Sequence, residues 1–432
     1  TLNSLFAHIF FLIFCYKKRA LLRINYLTLF LFLFTVRKVF AINTSFSAET
    51  RLKIKNFHND STSTSASASY LRSRLNVNLV SQNYKVYFQL QDNRLLGNQN
   101  NSPSITGGQN SSPSFHQVFG EFNGILGSKN KTRFGRFEMP LGSQRIFSNN
   151  NWNESGRSFE GITNIRKTRS GDILFFHLIN AELFPMNDQF DYVVDGLYGT
   201  TKLNFFKSKK QTIDSDEAPI KNSPLNLDYY YFNEDIVITP NTNTKQRRTY
   251  GLRVFKKFRS IDFEAEFAFQ NGEYYSDKIN ASLSSINIKA PISFTPLIES
   301  LSFSKEYISG DEFLLGGSDG ELTGFAKPFG AAHKFHGYYD NPVHNKFPNN
   351  SHAGLNEWFI ASNHKLFSSF NLSIKYHHFK DAIDFGAYGK ELDFILSKKL
   401  PFGGKLIQGF SIYFPEDRER LEAGYLMIEI KI

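Results

Sequence analysis

Between Ile261 and Gln270 the chain alternates without interruption. Ile261, Phe263, Ala265, Phe267 and Phe269 occupy one parity, and Asp262, Glu264, Glu266, Ala268 and Gln270 the other. An extended strand turns those sets to opposite faces, so one face suits hydrocarbon and the other water. Leu71, Leu75, Val77 and Leu79 alternate in the same way with Arg72, Arg74, Asn76 and Asn78, as do Phe370, Leu372, Ile374 and Tyr376 with Asn371, Ser373, Lys375 and His377. Further strand-length runs cover 84–92, 132–138, 159–167, 172–181, 192–203, 227–232, 250–255, 390–398 and 406–414. The last run, Tyr425 to Ile432, sets Leu426, Ile428, Ile430 and Ile432 against Met427, Glu429 and Lys431, a suitable closing strand.

Unequal polar connections separate these runs. The long ones are Gly97–Ser114, Lys207–Pro224, Glu234–Arg248 and Lys305–Gly354. No stretch after the first forty residues is apolar for the roughly twenty positions that a spanning helix needs. Strands can cross a bilayer only as a closed barrel, where every backbone group is satisfied between neighbours. At roughly 22 residues per strand and connection, residues 42–432 make about 16–18 strands. A barrel of that size encloses an aqueous lumen. A soluble sandwich would share the period of two, but not this length or these unequal connections.

The first forty residues carry Lys17, Lys18, Arg19 and Arg23 ahead of the apolar run Leu27 to Val36, with a small-residue site at Val39-Phe40-Ala41. That layout predicts a secretory leader, with the mature chain starting at Ile42. The expected organisation is a leader with an upstream extension (1–41), a short segment (42–69) and an outer-membrane barrel (70–432). The short segment ends in a Ser/Thr/Ala tract and is too small for a plug domain. The fold class is therefore all-β, a transmembrane antiparallel barrel of a Gram-negative outer membrane.

The leader also changes the charge argument. The formal net charge is +10, but the leader holds six Lys and Arg and no acid, which leaves 44 basic residues against 40 acidic ones. A nucleic-acid partner loses its electrostatic basis. Cys15, the single cysteine, lies in the leader, so disulfides and thiolate metal sites are not expected in the mature chain. With 46 Phe and 20 Tyr at a mean hydropathy of −0.34, the aromatics are interleaved with charges instead of clustered.

The segment Phe134 to Gly161 reads FGRFEMPLGSQRIFSNNNWNESGRSFEG. It resembles the alginate export family of outer-membrane barrels, through Gly135, Arg136, Glu138, Gly142, Arg145, Trp152, Asn153, Gly156, Arg157, Ser158, Phe159 and Gly161. It departs at Phe137, Met139 and Glu160, where the family has Gln, Leu and Asp. Similar pieces follow in order at 250–253, 264–270, 317–318, 333–340 and 391–393. The resemblance implies an eighteen-stranded barrel with a basic pore for an acidic polysaccharide, and periplasmic export partners.

The expected pore residues are Arg136, Glu138, Arg145, Arg157, Glu160, Arg72 and Arg74. Guanidinium groups are permanently charged and grip carboxylates as a fork, so a ring of them would focus positive potential on a passing uronate. The alternative reading of the same residues is structural ion pairs that tie a loop inside the lumen. The expected function is passive diffusion of anionic saccharides through a basic lumen; the alternative is a general porin or a surface barrel acting through its loops. Lys305–Gly354 is expected to fold into the lumen or over its mouth.

No enzyme is expected. Gly316 to Gly320 matches a nucleophile-elbow string but lacks the flanking strand and helix. His333, His336, Asp340 and His344 are competent metal ligands, yet without periodicity they read as a polar loop. Asp214, Asp216 and Glu217 lack calcium-loop spacing. No cofactor or metal site is therefore expected.

Overall fold

The computed structural model describes residues 42–59, 63–97, 111–181, 191–203, 224–239, 242–258, 260–292, 295, 297–311, 320–340, 347, 353–366, 369–401 and 403–432. The expected leader, the Gly316–Gly320 string apart from its last residue, His344 and the 214–217 acids lie outside them.

Nineteen strands are assigned among the described residues: β1 (Asn43–Asn59), β2 (Thr64–Val80), β3 (Tyr84–Leu95), β4 (Ser111–Asn123), β5 (Asn130–Phe137), β6 (Phe159–Lys167), β7 (Gly171–Ala181), β8 (Asp191–Leu203), β9 (Leu225–Thr239), β10 (Thr242–Phe258), β11 (Ile261–Tyr274), β12 (Asp277–Pro291), β13 (Ile298–Ile308), β14 (Glu321–Leu322), β15 (Leu355–Lys365), β16 (Phe370–Lys380), β17 (Ala387–Lys399), β18 (Lys405–Pro415) and β19 (Leu421–Lys431). Eighteen of them form an antiparallel wall in sequence order. The two-residue β14 runs parallel to the start of β12, beyond the point where β13 leaves off. Antiparallel pairing of β1 with β19, from Glu49↔Lys431 to Asn59↔Leu421, closes the barrel.

The alternation read from the sequence is realised on the two faces. On β11, Phe263, Phe267 and Phe269 are exposed outward, while Glu266, Ala268 and Gln270 are buried inward. Leu252, Leu301, Phe303, Ile360 and Phe410 extend the outward apolar belt. The last strand behaves as expected, with Leu426 outward and Tyr425 and Met427 inward.

The barrel begins earlier than expected. Residues 43–59 and 64–69 are not a segment ahead of the wall; they belong to β1 and β2, paired along their whole length. Glu234–Arg248 is not a loop either, because β9 runs on to Thr239 and β10 starts at Thr242. β4, β12, β13 and β15 are likewise not among the expected strands, and β13 takes in residues 305–308 of the connection expected at Lys305–Gly354.

Both termini of the wall lie at one rim, since the strand number is even. Connections 81–83, 124–129, 168–170, 259–260, 292–297, 366–369 and 400–404 at that rim are short, and 204–224 is the exception. The opposite rim carries 96–110, 138–158 and 309–354. Short periplasmic turns and long outer loops assign the terminal rim to the periplasm. Two outer loops, 138–158 and the described parts of 309–354, fold inward and build an aromatic core inside the lumen: Phe147 and Phe329 with the wall residues Phe119, Phe137, Phe159, Phe176 and Phe232. No plug domain is present among the described residues.

Candidate pore constriction

The 138–158 loop leaves the wall through two facing glycines. Gly135 and Gly161 are partners in the β5–β6 register, with φ of +120° and +152°. A Cβ on Gly135 would stand 2.3 Å from the Val118 carbonyl oxygen, and one on Gly161 2.1 Å from that of His177. Only glycine tolerates such close backbone approach. Pro140 then ends any continuation of β5, because it offers no amide hydrogen to the ladder.

One side of this loop docks on a basic wall. Glu154 accepts from Arg51 Nη2 and from Lys53 Nζ, each at 2.7 Å. Arg51 also donates to the carbonyls of Asn151 (2.5 Å) and Asn153 (2.9 Å), and Lys53 to that of Trp152 (2.5 Å). Arg74 donates to Gln91 (2.6 Å) and to the Asn151 side chain (3.0 Å), and lies 3.4 Å from Glu138. Glu138 further takes His116 and Asn149 at 2.9 Å. Arg72 pairs with Glu49 at 2.5 Å.

The other side of the loop docks on an acidic wall. Arg145, 1% exposed, donates to Glu306 at 2.8 Å and lies 3.2 Å from Glu264 and 3.7 Å from Glu266. Ser143 caps Glu266 at 2.5 Å. Burial opposes the Arg145 charge, but Glu306, Glu266 and Glu264 outweigh it and raise its pKa. Beside it Phe147 is enclosed by Phe329, Phe232, Phe176 and Phe159 at centroid distances of 4.9, 5.0, 5.5 and 5.7 Å. Burying one such ring contributes about 1.5–3 kcal/mol.

The described parts of the 309–354 loop pack on the first loop and on the same acidic wall. Trp152 stacks on His333 at 3.5 Å, and Ser148 N donates to the Phe329 carbonyl at 2.8 Å. His336 Nδ1 meets Glu357 at 2.7 Å, and Lys327 Nζ meets His336 Nε2 at 2.9 Å. Burial, then the Lys327 charge, holds His336 below the ordinary histidine range. The neutral ring so favoured donates to Glu357 and accepts from Lys327. The backbone amides of Tyr338 and Tyr339 donate to Glu391 at 2.6 and 2.9 Å. The described parts of this loop thus lie in the lumen, one of the two placements expected for it.

Of the seven expected pore residues, Arg72 and Arg74 face inward on β2, Glu138 and Arg157 stand at the two feet of the first loop, and Arg145 sits at its far end. Arg157 donates to the Ser148 and Gly330 carbonyls, each at 3.4 Å. Arg136 and Glu160 do not line the lumen. Their neighbours Phe137 and Phe159 point inward, so the alternation sends this pair outward, where it forms an exposed 2.8 Å ion pair. Arg145 is wholly occupied by acids, which fits the alternative reading of ion pairs that tie a loop. Sequence reasoning missed Arg51, Lys53, Glu306, Glu357 and Glu391. The repeating Glu49, Arg51, Lys53, Lys55 parity could have revealed the first two. Within the expected histidine loop, His333 pairs with Asp340 while His336 turns to Glu357.

A closed antiparallel wall with an outward apolar belt and a polar lumen crossed by loops defines an outer-membrane β-barrel channel. The alginate export family model matches residues 42–384, and the chain belongs to that family. No curated protein matches the sequence. Among solved structures the chain is similar to OccK2 (OpdF) of Pseudomonas aeruginosa, at 13% identity and a TM-score of 0.59 over 90% of this chain and 98% of that one. A BenF-like porin from Pseudomonas fluorescens Pf-5 aligns at 10% identity and 0.59, with the same coverage. OpdK of Pseudomonas aeruginosa, solved with vanillate, aligns at 10% identity and 0.55, again over 90% and 98%.

Proposed function

We propose that this outer-membrane channel passes small anionic solutes by passive diffusion, with uronate-type saccharides, single or chained, as the first class to test. The supporting observation is an imbalance of pairing. Arg145, Arg247 and Arg253 and the buried histidines occupy the acids Asp228, Glu234, Glu264, Glu266, Glu306, Glu357 and Asp393. Among the described residues, Lys55, Lys375, Lys334 and Arg157 stand on the lumen side or its loops with no carboxylate in ion-pair range. Two of these cations lie beside aromatic faces: Lys55 is 5.8 Å from Trp152, and Lys375 is 5.0 Å from Tyr338. Trp152 and Tyr338 are themselves 6.0 Å apart, edge to face. Ammonium groups beside aromatic rings suit a ring-shaped solute that bears a carboxylate. Vanillate, present with one barrel of similar fold, is a carboxylate too.

A general porin is the second reading, favoured by the acidic wall itself. Reversal potentials across a planar bilayer in a salt gradient decide between them. Anion preference that weakens in Lys55→Gln and Arg157→Ala, and is unchanged in the outward Arg136→Ala, supports the proposal. Cation preference in the native protein rejects it. Liposome influx of glucuronate faster than glucose is the accompanying expectation.

A further inference from the structure

The outward face of the wall carries a cationic row that the lumen does not explain. In register across five strands lie Lys305 on β13, Trp358 on β15, His378 on β16, Lys390 on β17 and Phe414 on β18. Each shares parity with outward residues of its strand, such as Phe303 with Lys305 and Ile360 with Trp358. Lys380 lies on the same face one step nearer the outer rim, opposite Asn356. Trp358 and His378 stack at 5.5 Å, and Lys305 donates to the Asn356 side chain.

The level of this row is fixed by its neighbours. The next outward row toward the periplasm reads Phe303, Ile360, Tyr376, Leu392 and Ile412, which belongs to hydrocarbon. An interfacial Trp at the edge of an apolar belt marks the head-group boundary. Because the row lies toward the rim opposite the termini, that boundary is the one with the outer leaflet. Neighbouring strands are about 4.8 Å apart, so the three ammonium groups can reach one head group.

Other outward cations near this rim differ in one respect. Arg136 is closed by Glu160 at 2.8 Å, His177 by Asp195 at 2.7 Å and Arg94 by Asp92 at 2.9 Å, while Arg248 stands singly between Asn233 and Asn271. Lys305, Lys380 and Lys390 have no carboxylate in ion-pair range among the described residues. Clustered lysines at a bilayer surface are a costly arrangement unless an anion sits between them.

We propose that Lys305, Lys380 and Lys390, with Trp358 between them, seat the phosphate groups of an outer-leaflet glycolipid. The phosphates bridge the ammonium groups, while Trp358 and Phe414 pack on the sugar and the upper acyl chains. The test uses the full-length barrel in detergent micelles with purified lipid A as probe, and reads bound glycolipid per barrel by native mass spectrometry. Heat-modifiable migration in SDS gels verifies that every variant is folded. The triple variant Lys305→Gln, Lys380→Gln, Lys390→Gln should lose affinity on the order of a hundredfold, taking about a factor of five for each lysine at an anionic surface. The control Lys256→Gln, Lys398→Gln changes outward lysines near the opposite rim and should bind as the native protein does. Native affinity in the folded triple variant, or equal affinity of the native barrel for dephosphorylated lipid A, would overturn the proposal.

Discussion

Replacing Arg145 with alanine withdraws the cation from beneath the far end of the 138–158 loop. Three carboxylates then face each other across the cavity it leaves. Glu264 keeps Arg253 at 2.6 Å, Glu306 keeps Lys327 at 3.3 Å, and Glu266 keeps hydrogen bonds from Ser143 and Tyr230. Removing one partner of a buried pair costs about 3–5 kcal/mol, and these remaining contacts place the effect at the lower end. About 3 kcal/mol is roughly a hundredfold in the balance between docked and released forms of that end. The Phe147 cluster and the Glu154 anchor still hold the rest of the loop, so the far end should move while the base stays. Single-channel recording of Arg145→Ala should therefore show flicker between conductance levels that the native channel lacks. Arg145→Met combined with Glu306→Gln removes charge on both sides and should suppress part of that flicker. A steady Arg145→Ala channel with native conductance and native loop proteolysis would refute the role of Arg145 as a strut that holds the far end of the loop.

Three further outcomes follow from other parts of the molecule. Phe267→Arg places a cation in the outward belt and should cost about 2–4 kcal/mol near the bilayer midplane, read as a lower yield of heat-modifiable barrel; a yield equal to native would contradict the assigned faces. Gly135→Ala forces a Cβ against the Val118 carbonyl and should cost about 1–3 kcal/mol of backbone strain, measured by denaturant unfolding in micelles, whereas Gly97→Ser in an open turn should cost less. In the loop, burial pushes the Glu154 pKa up, but Lys53 and Arg51 outweigh burial and hold it below its ordinary 4.5. Its docking contribution is complete above pH 4.5 and is lost as pH falls through the lowered folded value. Acid-induced gating should accordingly appear below about pH 4.5 and vanish in Glu154→Gln.

The strands that were legible are those whose outward positions carry large apolar groups. In β11, Phe263, Phe267 and Phe269 leave no doubt about period or face. β1 reads as a preamble because its outward positions include Thr44, Ala48, Thr50 and Asn56, which a short apolar pattern cannot distinguish from a linker. Ser and Ala fill the first third of β2 for the same reason. Arg136 and Glu138 share parity along the chain, and that parity suggested one shared face. The strand stops at Phe137, however, and the turn at Pro140 carries Glu138 inward while Arg136 stays on the outer wall. Partnerships between distant segments, such as Arg145 with Glu306 or Trp152 with His333, depend on where two loops fold, and no local pattern encodes that.

The charge on the two walls explains why a loop crosses the lumen at all. Arg51, Lys53, Arg72 and Arg74 crowd onto β1 and β2, and Glu264, Glu266, Glu306 and Glu357 onto β11, β13 and β15. Like charges on adjacent strands repel, and burial makes that repulsion larger. The loop carries Glu154 to the basic wall and Arg145 to the acidic one, so each end brings the sign its wall lacks. Exchanging these two charges, Arg145→Glu with Glu154→Arg, keeps the net charge and the loop length while reversing both contacts. If electrostatic matching docks the loop, the exchanged protein should release it and conduct more than native. If apolar packing around Phe147 docks it unaided, the exchanged channel should conduct as native does, and the strut would be a consequence of folding instead of its cause.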